Sequence, residues 1–329
     1  MSSTIGRLAV CTVLFCVPAA AAERIEALEP HMGTMFRIVL YAEGEKDAGQ
    51  ARDAIRAAFD RVAELDNKLS DYKPDSELNT SVQAAFDREI PISDDLYVVL
   101  KASRALAEST DGAFDVTLGP VIRLWRKARA ARQLPGPDEL ANARLLTGYR
   151  KMHLGDHTLR VDRAGMQFDL GAIAKGYAAD EALRLLAARG FPRSLVAASG
   201  DLAIGDAPPN KEGWEIGVDS MQAPDQSFTR TLRLQNAGVS TSGDTEQHAE
   251  IGGVRYSHIV NPATGLGLMH RIGVTVIARK AIDSDCLSTA ASVATETRGS
   301  SAALALIQRR GAKGIIVAES GGKMTVIEE

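Results

Sequence analysis

Cysteine is nearly absent, with three in 329 residues, at positions 11, 16 and 286. Cys11 and Cys16 fall in a stretch with Arg7 as its positive start, an apolar run over 8–17, Pro18 and four alanines at 19–22. That is the pattern of an export signal, cleaved near Ala22. Phe15 is bulky where a lipoprotein signal needs a small residue before its cysteine, so Cys16 is not read as a lipid anchor. The run is also too short for a stable membrane span. With residues 1–22 removed, Cys286 is the only thiol and no disulfide can form within the chain. An exported protein of this kind, expected in the periplasm, depends on a large core instead of covalent cross-links. Aromatic residues are 5% of the chain and no basic run occurs, which excludes a nucleic-acid surface. Beyond the signal, 37 basic residues face 42 acidic ones, a net charge of −5. Repeats, low-complexity tracts and linkers are lacking too, so residues 23–329 read as a single domain.

What is present is an alternation of short strand-like runs and alanine-rich helical ones. Residues 36–41 read as a strand, and 46–68 as a helix with Ile55, Phe59, Val62 and Leu65 on one face. A second helix is predicted over 94–110 behind Ser93, a third over 178–189 ending at Gly190, and a small-residue helix over 285–295. Strands are predicted at 151–154, 159–161, 194–198, 215–218, 231–234, 238–240 and 256–260, with a closing hairpin at 314–317 and 323–327 around Gly321-Gly322. The stretch 126–150 reads as a polar surface excursion. Strands outnumber simple β-α-β alternations in the second half, so the expected class is α+β.

The segment DLGAIAKGY at 169–177 places an acid, an approachable backbone and a lysine within seven positions. Backbone N–H groups at the start of the following helix can hold an anion, with Lys175 adding a full charge. A solvated lysine at an ordinary strand-to-helix turn is the plainer reading of so short a pattern. Asp285 and Thr289 are four apart on a predicted helix, hence on one face. A carboxylate with a hydroxyl is hard-oxygen ligation suited to Mg²⁺; alternatively Asp285 only complements the helix dipole. His258 can take a proton near neutral pH, although a lone histidine on a strand is more often structural. The TSGD turn at 241–244, carrying Thr241 and Asp244, is hydroxyl-rich in the way phosphate or ribose contacts are. Tyr72 and Phe114 are candidates to stack on a planar ring, or plain core residues.

The order of these segments resembles the ApbE family, the FAD:protein FMN transferases. MGTMF at 32–36 resembles the family's opening M-G-T; LSDYKPDSELN at 69–79 is similar to its L-S-x-Y-x-P-x-S-E block; DGAFDVTLGP at 111–120 to its G-[AY]-F-D-x-T block; and 169–177 to its D-L-[GS]-[GA]-I-A-K-G-Y signature. TSGD at 241–244, YSHI at 256–259 and DCLST at 285–289 complete the set. The resemblance implies an α+β fold of two lobes with antiparallel or mixed sheets and a deep cleft. It also implies Mg²⁺-dependent transfer of FMN from FAD to a threonine or serine hydroxyl of an exported target, releasing AMP. Mn²⁺ shares the oxygen preferences of Mg²⁺. Metal ligands carried over by position are the carbonyl of Ala172, Asp285 and Thr289. Flavin contacts fall on Met32, Tyr72, Ala113, Phe114, Asp115, Asp169, Lys175, Thr241, His258 and Ile259. Lys175 would neutralise charge on phosphate oxygens and His258 would deprotonate the acceptor, with Asp244 as the competing base. Association with the inner membrane would come through the target.

Two departures stand out. Ser199 occupies a place often taken by glycine in the family, and Asn261 stands where many members have aspartate before proline. Rival readings are an FAD pyrophosphatase using water as acceptor, a non-catalytic FAD-binding protein, and an exported interaction protein in which every motif is scaffold.

Overall fold

The computed structural model describes residues 22–42, 48–218, 230–243, 248–320 and 323–329. Residues 1–21, within the stretch that reads as an export signal, lie outside the described residues, as do Asp244 and Gly321-Gly322.

A hairpin opens the domain: β1 (Glu23–His31) turns at Met32 and Gly33, both at positive φ, into β2 (Thr34–Ala42). The long amphipathic helix α1 (Ala48–Leu69) follows, burying Ile55, Phe59, Val62 and Leu65. The short helix α2 (Glu77–Ala84), with Ser76 as its N-cap, leads through β3 (Ile90–Pro91) to α3 (Asp94–Thr110). Glu77 accepts both the N–H and the hydroxyl of Ser93 at 2.7 Å, and so fixes the cap of α3. Two more helices come next, α4 (Gly119–Ala131) with a proline in its first turn and α5 (Pro137–Leu145). The stretch read above as a surface excursion therefore completes one helix and contains another. After β4 (Met152–Leu154) and β5 (Thr158–Val161) come α6 (Ala174–Ala188), β6 (Ser194–Ala198) and β7 (Asp201–Ile204). Then follow β8 (Trp214–Val218), β9 (Arg230–Leu234), β10 (Ala237–Gly243), β11 (His248–Ile251), β12 (Val254–Ser257) and β13 (Ile272–Ala278). The chain closes with α7 (Ala281–Arg298), α8 (Ser300–Arg309), β14 (Lys313–Ser320) and β15 (Lys323–Glu328).

One eight-stranded sheet, ordered β1-β2-β6-β7-β10-β13-β14-β15, organises the whole, and every neighbouring pair in it is antiparallel. Alternation along β2 shows its two faces. Ile38 and Leu40 join the main core beneath α1, α6 and α7, while Val39 joins a smaller cluster with Trp214 and Ile216 of β8. A third cluster packs Val121 and Trp125 of α4 against Ile251, Tyr256 and Val260. The class is α+β, as expected. None of the helices among the described residues is long and apolar enough to cross a membrane.

Helix α7 is buried nearly all round, which explains its alanine and serine content. It begins one turn earlier than the spacing predicts. Its leading N–H groups, on Ala281 and Ile282, donate to the carboxylate of Asp180 on α6 at 2.8 and 2.9 Å. Burial pushes the Asp180 carboxyl up to about 6.

A second buried carboxylate ties three helices together. Asp95 accepts from Arg61 of α1, from Lys68 at 2.8 Å and from the Tyr177 hydroxyl of α6 at 2.7 Å. Burial opposes its charge, but Arg61, Lys68 and Tyr177 outweigh burial and hold it down at about 2. Asp95→Asn leaves two cations short of their partner and is expected to cost about 3 kcal/mol in urea unfolding at pH 7. Because the folded pKa lies below the unfolded one, this contribution is complete above about pH 4. It is lost as the pH falls toward 2, so the gap between variant and wild type should narrow at pH 3.

Candidate active site

The site is built where α6 crosses α7. Asp169 closes a short extended run, its N–H bonded to the Val116 carbonyl at 2.8 Å, and its Oδ1 accepts the Gly171 N–H at 2.8 Å. The chain then turns through Ala172 into α6. At the start of that helix the Ala174 N–H bonds to the Leu170 carbonyl at 2.8 Å and the Tyr177 N–H to the Ile173 carbonyl at 3.1 Å. The Gly176 N–H, which in a longer helix would reach back to Ala172, donates to Asp285 Oδ2 at 2.9 Å. Among the described residues no backbone N–H is bonded to the Ala172 carbonyl.

Asp285 lies one turn inside α7 and is 2% exposed. Lys175 pairs with Asp201 at the start of β7 and lies 3.8 Å from Asp285 Oδ1. Burial and the neighbouring Asp201 push the Asp285 carboxyl up to about 7, against the pull of Lys175. Burial works to lower the Lys175 pKa, and the carboxylates of Asp285 and Asp201 overcome it, so the ammonium stays charged. Thr289, one turn further along α7, has its Oγ1 3.2 Å from the Ser242 hydroxyl, which itself meets Ser288 at 2.6 Å. Thr241 faces the other way, toward the Thr275 hydroxyl at 2.9 Å.

These positions fit a hard divalent cation. Asp285 is a buried carboxylate beside Lys175, the Ala172 carbonyl accepts no backbone N–H among the described residues, and Thr289 stands one turn from Asp285 on α7; all three are hard-oxygen donors. Among the described residues there is no group of three or more His, Cys, Asp or Glu side chains able to hold a metal. A set made of one carboxylate, one hydroxyl and one carbonyl would not form such a group.

The other predicted residues divide by what their side chains do. Tyr72 is 72% exposed and free to meet a ring, whereas Phe114 is 3% exposed and belongs to the main core. Asp115 caps a single turn at 116–118: its Oδ1 accepts the Thr117 N–H and hydroxyl, and its Oδ2 accepts the Tyr149 N–H at 2.9 Å. Its carboxylate shapes the loop, and burial raises its pKa despite those bonds. Met32 and Ala113 are half-buried against the main core, and Ile259 is buried with its N–H on Ser257 Oγ at 3.1 Å. His258 follows β12 directly and is half-buried.

Helix α4, absent from the sequence reading, joins these parts. Trp125 Nε1 donates to the Ser257 carbonyl at 3.0 Å, fixing the end of β12 immediately before His258. The next residue, Arg126, donates to Asp169 Oδ2 and to Asp71 Oδ2, each at 2.6 Å, and its guanidinium lies 4.4 Å from the Tyr72 ring. Two consecutive side chains therefore tie the end of β12, the 169–177 turn and the Tyr72 loop to one helix. Burial and Asp71 push the Asp169 carboxyl up, and Arg126 draws it back. No spacing signal marks Arg126, because its partners lie 43 and 55 residues away.

The two departures find local causes. Ser199 sits at φ +58° in the turn between β6 and β7, a conformation glycine adopts without strain. Asn261 is buried and its Oδ1 accepts the Ala263 N–H at 2.9 Å, so the amide closes the turn. A groove of about 430 Å³ beside Asp283, Cys286 and Arg310 contains none of the site residues.

The ApbE family pattern matches residues 32–316. An FAD:protein FMN transferase of Treponema pallidum is 30% identical over 297 residues, covering 85% of this chain and 82% of that protein. One of Vibrio cholerae is 30% identical over 285 residues, covering 84% of each. Among solved structures, the flavin transferase ApbE from Vibrio cholerae superposes with a TM-score of 0.84 at 26% identity, covering 94% of this chain and 97% of that one. The apo flavinyl transferase ApbE of Pseudomonas stutzeri gives 0.81 at 29% identity, with 93% and 95% covered. A match running from the Met32 turn into the penultimate strand, with superpositions over more than nine-tenths of the chain, makes this chain a member of the ApbE family.

Proposed function

We propose that this protein transfers FMN from FAD to a threonine or serine hydroxyl of an exported target protein, releasing AMP. The observation that carries the reading is the Ala172–Gly176–Asp285 arrangement. By giving its N–H to Asp285, Gly176 leaves a carbonyl and a buried carboxylate beside Lys175, at the head of a helix where phosphate is favoured. Ala172, Asp285 and Thr289 would hold Mg²⁺, with Mn²⁺ as the alternative. The cation would polarise the pyrophosphate and stabilise the AMP leaving group. Lys175 neutralises charge on the phosphate oxygens. Tyr72 carries the flavin ring, while Arg126 fixes Tyr72 and Asp169 to one helix. The acceptor oxygen bonds to the FMN phosphorus, the bridging P–O bond breaks toward AMP, and the hydroxyl proton passes to His258, with Asp244 the competing base. An export signal over 1–22 would put the reaction in the periplasm, and association with the inner membrane would come through the target.

The decisive experiment mixes the mature protein, FAD and Mg²⁺ with a flavin-acceptor domain, following AMP release and acceptor mass. A mass gain of one FMN that EDTA blocks is the expected result. AMP release without a mass gain would instead make the protein an FAD pyrophosphatase. Intact FAD in the presence of metal and acceptor would make it a carrier.

A further inference from the structure

Three arginines, Arg123, Arg126 and Arg129, lie three residues apart on α4, so that each is a near neighbour of the next on the helix surface. Two are occupied. Arg123 donates to the Asp71 carbonyl at 3.1 Å, and Arg126 is shared between the Asp71 and Asp169 carboxylates. Arg129 is different. Its Nε is buried, and among the described residues it has no hydrogen-bond partner and its side chain makes no ion pair. Its neighbours make this costly. Burial first and the like charge of Arg126 second push its pKa down, and only the nearby Tyr72 phenol acts in the opposite sense. A buried donor without an acceptor costs about 1–3 kcal/mol. Such a group in a folded protein points to a missing acceptor.

The surroundings say what that acceptor is. Tyr72 carries the Arg126 guanidinium against its ring and is still 72% exposed, so ring surface remains open to a planar ligand. The loop bearing it is held rigidly, since the Asn79 side-chain amide donates to the carbonyls of Lys73 at 2.9 Å and Asp71 at 3.2 Å. Phosphate has its own cation in Lys175, which pairs with Asp201 and Asp285 and not with the acids that hold Arg126. A guanidinium is a planar fork of donors, and one turn of helix beyond the arginine that lies against the Tyr72 ring it matches a flat ring with carbonyl oxygens along one edge. The isoalloxazine ring of a flavin has such an edge.

We propose that Arg129 is a flavin-binding residue of this chain, its guanidinium taking the carbonyl-bearing edge of the ring while Tyr72 takes its face. The assignment rests on the reading of FAD as substrate. The test compares wild type, Arg129→Met and Arg129→Lys for FAD binding by flavin fluorescence, for ADP binding by calorimetry, and for the melting temperature of the ligand-free protein. Arg129→Met keeps the apolar stem and removes the orphaned donor. It is expected to weaken FAD by roughly tenfold to a hundredfold, the loss of a charged hydrogen bond. ADP affinity should be unchanged and the ligand-free melting temperature should not fall. Arg129→Lys, with charge but no fork, should lie between the two. Unchanged FAD affinity in Arg129→Met would overturn the assignment, and so would an equal loss for ADP, or a lower melting temperature accompanying weaker binding. Wild-type protein that binds no FAD would overturn the substrate reading, and the Arg129 assignment with it.

Discussion

Asp285→Ala is expected to reduce AMP release from FAD by about 10³-fold while lowering the melting temperature only slightly. The activity term follows from the place of the carboxylate, buried to 2% and beside Lys175, as the one charged member of the proposed metal set. Metal stabilisation of phosphate charge is worth several kcal/mol, and each ~1.4 kcal/mol is a factor of ten. The stability term is a difference of opposing effects. The variant strands the Gly176 N–H, which costs about 1–3 kcal/mol. It also removes a carboxylate that burial and Asp201 disfavour strongly enough to raise its pKa to about 7, while Lys175 keeps Asp201. Asp285→Asn separates the two effects, because the amide oxygen still accepts the Gly176 N–H and the charge is gone. It should melt like wild type and remain inactive. Either variant recovering full activity at saturating Mg²⁺ would sink the metal assignment.

Much of this was legible along the chain, and what was not shares a physical cause. Periodicity located the helices that bury one face, so α3 runs over the predicted 94–110 and α1 differs from 46–68 by a residue or two at each end. Strand β6 covers the predicted 194–198. The 169–177 turn has the expected form, with Lys175 in the first turn of α6. Boundaries set by distant residues were hidden. Spacing puts the start of α7 a turn too late because its cap, Asp180, comes from another helix about a hundred residues earlier in the chain. Strand β1 was missed because Glu23, Arg24, Glu26 and Glu29 make it read as polar, which suits an edge strand against β2.

Motif letters likewise mix two kinds of work that a linear pattern cannot separate. Within 69–79, Tyr72 is offered to solvent, while Ser76 and Glu77 cap helices and Asn79 ties the loop to itself. Asp115 is similar, an acid whose oxygens are spent on backbone N–H groups and a threonine hydroxyl. Arg126 is the reverse case: an unremarkable letter in an arginine- and alanine-rich stretch that turns out to hold Asp71, Asp169 and Tyr72. Its role depends on three elements meeting, and neither composition nor spacing records that.

Gly176→Ala should be strongly destabilising despite adding a single methyl group. In isolation it would help, since alanine favours a helix by about 1 kcal/mol over glycine. Here the added carbon would overlap the Ala281 carbonyl oxygen and come within 2.6 Å of that carbonyl's carbon and 2.8 Å of Asp285 Cβ. None of these is the flexible end of a side chain. Nor can α7 retreat easily, because Asp180 grips its first N–H groups and the Ser240–Ser284 and Ser242–Ser288 hydroxyl pairs pin it to β10. Overpacking of this kind costs typically 1–3 kcal/mol, and separating the helices would also break the Gly176–Asp285 bond. The expected sum is about 3 kcal/mol or more, a fall of roughly 6–12 °C in melting temperature. Gly171→Ala is the control: its added carbon would meet only Asp169 Oδ1, at 3.0 Å, and it should lose far less. Because Gly176 sets the distance between Lys175 and Asp285, the surviving folded fraction of Gly176→Ala should also bind Mg²⁺ and FAD more weakly, as titration calorimetry below its melting temperature would show. A variant that melts and binds like wild type would mean that α6 and α7 do not meet at this glycine.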